Sequence, residues 1–170
     1  EEAEAIFVVG QNPGTKHPRM LSALEAAKAR GAKIVSINPL PEIGTDRFKN
    51  PQDFLNPLKA FQTLMGDGAR LADLWLPVRI GGDVALFKGL MKAMLAAEEG
   101  APGTVLDAGF VEQHTYGFEA LAADLRTTAW DEIVAGSGIE RERIEAAAVI
   151  AMRSRATICC WAMGLTQQPN

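Results

Sequence analysis

The residues best suited to chemistry lie in three short runs rich in Gly, Asn, Pro and Asp. The first is Gly10-Gln11-Asn12-Pro13-Gly14-Thr15-Lys16-His17-Pro18. Its two glycines permit close approach of a ligand to the backbone, and the helix expected after it favours an anion such as a pyrophosphate. It is neither a GxGxxG dinucleotide fingerprint nor a Walker loop, so a plain tight turn remains open for it. His17 reads either as a residue orienting the helix start or as a general base, and no Cys, Ser or carboxylate stands next to it in sequence. The second run is Asn38-Pro39-Leu40-Pro41, placed where a Rossmann-like sheet meets the nucleoside end of its ligand, usually through an acidic residue. Asn38 takes that place, with Glu42 and Asp46 as possible substitutes. The third is Arg79-Ile80-Gly81-Gly82-Asp83. Its carboxylate could accept two hydrogen bonds from the N1–H and amino group of a guanine, or Asp83 could simply cap a helix.

Each run follows a stretch that reads as a strand. Ala5-Ile6-Phe7-Val8-Val9 is a continuous β-branched and aromatic run, the pattern of a strand buried on both faces, and is expected to be central. From Pro18 to Arg30 the residues Met20, Leu21, Leu24, Ala27 and Ala29 recur near helical spacing, with Gly31 as the stop. Lys33-Ile34-Val35-Ser36-Ile37 is a second strand, which gives a right-handed βαβ unit. Residues 41–71, with three prolines and three glycines, read as a long connection holding one short helix around 58–65. Residues 74–78 form a short third strand, and Asp83 begins a helix with Val84, Leu86, Phe87, Leu90, Met91, Met94 and Leu95 on one face. Further helices are expected at about 104–115, 117–126, 128–136 and 140–153, followed by a buried strand at 156–161. In open parallel sheets ligands sit outside the carboxyl ends of the strands, so all three runs are expected on one crevice.

The bulk numbers narrow the classes. With 170 residues, 48% hydrophobic and 22% charged, the chain has an ordinary globular composition and one domain is expected. A formal charge of −4 with scattered Lys and Arg gives no footprint for nucleic acid or an anionic membrane. No apolar run approaches the roughly 18 residues needed to cross a bilayer, and the acidic start is unlike a signal peptide, so a cytoplasmic location is expected. Cys159 and Cys160 are adjacent in an apolar run and read as two small buried hydrophobes.

The order of these pieces resembles the molybdopterin oxidoreductases, with formate dehydrogenases the nearest branch. The resemblance is carried by residues 10–18, Gly31-Ala32-Lys33-Ile34-Val35, Gly81-Gly82-Asp83-Val84-Ala85-Leu86, Phe110-Val111-Glu112-Gln113-His114-Thr115-Tyr116-Gly117-Phe118-Glu119 and Trp161-Ala162-Met163-Gly164-Leu165-Thr166-Gln167. It implies a three-layer αβα, Rossmann-like, mostly parallel α/β fold that holds one half of a bis-molybdopterin guanine dinucleotide cofactor of molybdenum or tungsten.

Carried over by position, residues 10–16 would meet the diphosphate, residues 38–41 the nucleoside, and residues 81–83 the guanine. Met163 and Gln167 would approach the pterin end. Gln168 departs from the histidine common in related sequences, and the connection at about 45–70 is longer than in the best-known formate dehydrogenases. The family's cysteine-rich iron–sulfur motif and metal-binding Cys or selenocysteine would precede this region, and neither Cys159 nor Cys160 matches them. The resemblance therefore implies a cofactor-holding fragment of a longer oxidoreductase, inactive alone. Its partners would be the parent's remaining domains and a small molecule such as formate. The alternative is an NAD- or FAD-binding domain, or the middle domain of a thiamine-diphosphate enzyme.

Overall fold

The computed structural model describes residues 2–46, 48–49, 61, 65 and 70–167. They fall into two compact units, one formed by residues 1–77 with 154–168, the other by residues 78–153.

The first unit is built on a four-stranded sheet. The strands β1 (Ala5–Val9), β2 (Lys33–Ile37), β3 (Leu74–Leu76) and β4 (Thr157–Trp161) lie in the order β3-β2-β1-β4, and every pairing is parallel. β1 is central, and all five of its residues are buried, as its unbroken apolar run requires. Ala5 pairs with Lys33 on one side and Thr157 on the other, and Val9 with Ile37 and Trp161. Between β1 and β2 runs a four-residue helix, α1 (Pro13–Lys16), then α2 (Pro18–Ala29). Leu21, Leu24 and Ala27 on α2 pack with Ile6, Val8 and Ile34 on the sheet, and with Phe48 and Leu71. A second four-residue helix, α3 (Ile43–Asp46), follows β2. The α/β, Rossmann-like parallel sheet with flanking helices is the class expected from the sequence.

Several local expectations are corrected. β3 stops at Leu76 because Pro77 has no N–H for a ladder bond. β4 is not buried: Ile158 is 47% and Trp161 54% exposed, Cys159 is exposed and only Cys160 packs partly on the core. Its apolar run misled because, among the described residues, β4 is an edge strand paired on one side alone. The short helix expected around 58–65 lies almost wholly outside the described residues, as does Gln168.

The second unit is helical. It contains α4 (Asp83–Gly100), α5 (Ala108–His114), α6 (Phe118–Thr127), α7 (Trp130–Ser137) and α8 (Arg141–Met152). Leu86, Leu90 and Leu95 of α4 are buried, whereas Val84 and Met91, expected on the same face, are exposed. α4 packs on α6, α7 and α8. Gly89 allows this approach, since a Cβ there would lie 2.8 Å from Ile133 Cγ2. α5 begins later than expected, at Ala108, because Asp107 caps it: its Oδ1 accepts from Phe110 N at 2.9 Å. The preceding turn is tied to α4 by the Glu98 carboxylate, which accepts from the N–H groups of Gly103, Val105 and Leu106. Those bonds hold the Glu98 carboxyl below its ordinary pKa.

The amino-terminal edge of the sheet is held by Asp73. Its Oδ2 accepts from Ile34 N at 2.9 Å and lies 3.2 Å from Lys28 Nζ, and its Oδ1 is 3.6 Å from Lys33 Nζ. Lys28 also donates to Leu71 O at 2.8 Å. Burial pushes the Asp73 carboxyl up, but the Ile34 N–H and the two lysines outweigh it, so its pKa is lowered. A carboxylate with a lowered folded pKa stabilises the fold above its unfolded value and loses that contribution as pH falls through the folded one. Asp73→Asn should therefore cost about 1–2 kcal/mol at neutral pH. The gap from wild type, measured by urea unfolding, should shrink as the medium is acidified below about pH 4. A gap independent of pH would contradict this account.

Candidate functional site

Gly10 ends β1 with φ +60, in the left-handed region that glycine enters at little cost. Its N–H still donates to Ile37 O at 2.9 Å, so the chain leaves the sheet only after that bond. The next residues are not an open loop. Asn12 Oδ1 accepts from Thr15 N at 3.0 Å and caps α1, with Pro13 buried at its first position. Asn12 is thus committed locally. His17 ends α1 and immediately precedes α2, whose first residue is Pro18, and its exposed imidazole makes no capping bond. The N–H groups of Gln11, Asn12 and Gly14 have no acceptor among the described residues, which leaves three backbone donors in this turn.

The carboxyl ends of all four strands are joined by hydrogen bonds around Asn38. Its N–H donates to Leu76 O at 3.2 Å, and its carbonyl accepts from Trp75 Nε1 at 2.9 Å. Its side-chain amide donates to Gln11 O and to Glu42 Oε1, each at 3.3 Å. Gln11 in turn donates from Nε2 to Trp161 O at 2.9 Å. Asn38 therefore stands where the sequence placed it, but its donors are spent on the protein, and Pro39 with Leu40 forms the exposed bend beyond it. Among the described residues Gln11 Oε1 is buried without a donor, a condition that folded proteins rarely leave unmet.

The first and second turns touch through two glycines. A Cβ on Gly44 would lie 3.0 Å from Gly14 Cα, 3.1 Å from Gly14 N and 3.3 Å from Leu21 Cδ2. The approach of α3 to α1 leaves beside it a cavity of about 410 Å³ lined by Asn12, Gly14, Thr15, Pro41, Glu42, Ile43, Gly44, Phe48 and Lys49. After β4 the chain turns into α9 (Met163–Thr166), close to Gly10: a Cβ on Gly164 would lie 3.6 Å from Gly10 O. Met163 is exposed on this helix, and Gln167 closes it by donating its N–H to Met163 O at 3.0 Å. The first unit thus brings together residues 10–17, Asn38, Pro39, Met163 and Gln167 at one end of its sheet.

Gly81, Gly82 and Asp83 belong to the second unit. Gly81 has φ +81, and a Cβ on Gly82 would lie 2.8 Å from Gly136 O, so both glycines are required by the turn itself. Arg79 fixes the turn through N to Ser137 O at 2.9 Å and Nη1 to Ala135 O at 2.6 Å. The N-cap of α4 is Gly82, not Asp83. Asp83 is the first helical residue, 6% exposed, where the helix field favours its negative charge.

Sequence reasoning missed Gly44 and Trp75. A glycine in a short polar run and an indole in an apolar triplet carry no local signal of the partners they meet across the fold.

No protein-family profile matches the chain. It is 46% identical along its whole length to an uncharacterised oxidoreductase of Mycobacterium tuberculosis, of which it covers 21%. It is 26% identical over 98% of its length to the alpha subunit of F420-dependent formate dehydrogenase 1 of Methanococcus maripaludis, covering 20% of that protein. The same identity holds over 99% of the chain with a nitrate reductase of Symbiobacterium thermophilum, again covering 20%. These relatives are oxidoreductases by name. Among solved structures, acetylene hydratase from Pelobacter acetylenicus shares the fold, with a TM-score of 0.72, 22% identity, and coverage of 96% of this chain and 18% of that one. The chain spans about a fifth of the length of the curated relatives it matches.

The contact between the two turns is directly testable. Gly44→Ala forces a methyl group against backbone atoms of Gly14 that cannot rotate away, and overpacking of this kind costs about 1–3 kcal/mol. Denaturant unfolding should report that loss, whereas Gly31→Ala, with nothing within 4 Å of its Cβ, should lose stability only through its backbone conformation, at φ +100. A Gly44→Ala chain as stable as wild type would show that the turns are not held in contact.

Proposed function

We propose that this chain is a cofactor-holding domain of a molybdopterin guanine dinucleotide oxidoreductase of the formate dehydrogenase type, and that turnover belongs to the longer parent. The observation that carries the reading is the cavity between the first and second turns, at the carboxyl ends of β1 and β2 where open α/β sheets bind nucleotides. The oxidoreductase names of the relatives and the resemblance running through the turns support it.

The residues present fit such a group. The N–H groups of Gln11, Asn12 and Gly14 are donors for diphosphate oxygens, Lys49 adds positive charge on the cavity, and Lys16 closes α1 in the same turn. Asn38 and Pro39 are assigned the nucleoside by the resemblance, and Pro41 and Glu42, just beyond them, line the cavity. The orphaned Gln11 Oε1 needs an N–H or O–H donor, which a pterin or a sugar carries and a phosphate does not. Met163 and Gln167, at the two ends of the short helix whose Gly164 approaches Gly10, would meet the other end of the dinucleotide. In the second unit, Gly81, Gly82 and Asp83 are assigned the guanine edge by the resemblance. When bound, the group would supply a metal centre able to exchange two electrons with a substrate such as formate, with any iron–sulfur cluster contributed by another part of the parent.

The purified full-length parent should contain molybdenum or tungsten and release a fluorescent pterin on oxidation. Absence of both metals and of pterin overturns the reading. In the chain itself, guanosine diphosphate should slow amide hydrogen exchange at residues 10–14, whereas equal protection by NAD would favour a general dinucleotide site.

A further inference from the structure

The core of the second unit makes little use of α5. None of the seven residues of this helix is buried, and a helix so short gains too little from its own hydrogen bonds to persist without packing. Phe110 on it is 57% exposed, Tyr116 just beyond it is fully exposed, and Leu121 on α6 is 39% exposed. The same helix walls a cavity of about 430 Å³, to which Leu106, Val111 and Phe118 give apolar surface and Glu112 and Glu119 give carboxylates. Apolar side chains gathered in this way on a surface mark a place where another polypeptide lies. We propose that α5 and the start of α6 form a docking surface for a basic segment of the longer parent, one that sets Lys or Arg side chains among apolar ones.

Charge decides the kind of occupant. Between Lys92 and Arg126 the sequence carries Glu98, Glu99, Asp107, Glu112, Glu119 and Asp124, and neither Lys nor Arg. Four of these acids are committed within the unit. Glu98 accepts from the N–H groups of the turn after α4, Asp107 caps α5, Glu99 lies 2.7 Å from Arg126 Nε, and Asp124 lies 2.8 Å from Lys88 Nζ. Glu112 and Glu119 are exposed, and among the described residues neither is paired. The two free carboxylates are therefore those on the apolar cavity. A nucleic acid or an anionic lipid surface is repelled by them, and a second copy of this chain, meeting the patch with its own, would set carboxylate against carboxylate. A segment with Lys or Arg complements both the charge and the exposed aromatic faces, on which such cations also stack. The chain spans about a fifth of the length of its curated relatives, so the parent has polypeptide enough to supply that segment.

The test is hydroxyl-radical footprinting of Tyr116 in the purified full-length parent, read by mass spectrometry against the same protein unfolded in denaturant. A covered Tyr116 should be oxidised about tenfold more slowly in the native parent than in the unfolded one. Glu112→Lys combined with Glu119→Lys should raise the native rate toward the unfolded one, because like charges across an interface repel. Glu132→Lys, on α7 and away from the cavity lining, should leave Tyr116 protected. Added salt should expose Tyr116 in the wild-type parent as well, a readout that needs no variant to fold. None of these measurements involves the cofactor, so their failure is separate from failure of the cofactor reading. Oxidation of Tyr116 in the native parent at the unfolded rate overturns the docking surface. Protection that neither charge reversal nor salt relieves overturns the basic character of its occupant.

Discussion

The candidate site depends on how Asn38 is used. One residue at the end of β2 accepts from the Trp75 indole, donates its N–H to Leu76, and spends its side-chain amide on Gln11 and Glu42. Through Gln11 the network reaches Trp161 at the end of β4. Parallel strands end in carbonyl and N–H groups that the ladder no longer satisfies, and leaving a buried one unpaired costs about 1–3 kcal/mol. Here those groups are paired with each other across the sheet. The result is a rigid rim, on which α1 and α3 can be set close enough for two glycines to touch.

That rim was legible in outline. β1 and β2 could be read to the residue, because unbroken β-branched runs between turn signals have few alternatives in a parallel sheet. α2 was clear from Leu21, Leu24 and Ala27 with Pro18 before and Gly31 after. The three turns were located by composition alone. What composition could not show was that one four-residue helix lies within the first of them and another just beyond the second, because so short a helix has no periodicity to detect. Nor could it show that Gly44 meets Gly14, since a close approach between turns about 30 residues apart is a tertiary fact.

The errors share a cause. β4 has the apolar pattern of a buried strand, yet periodicity reports hydrophobicity and not position in the sheet, and an edge strand can carry the same residues as a central one. Asp83 has the composition of an N-cap, but the Gly81-Gly82 pair shifts the helix start so that the cap is Gly82 and the carboxylate falls inside the first turn. In both cases the residue type was read correctly and its place was decided by a neighbour.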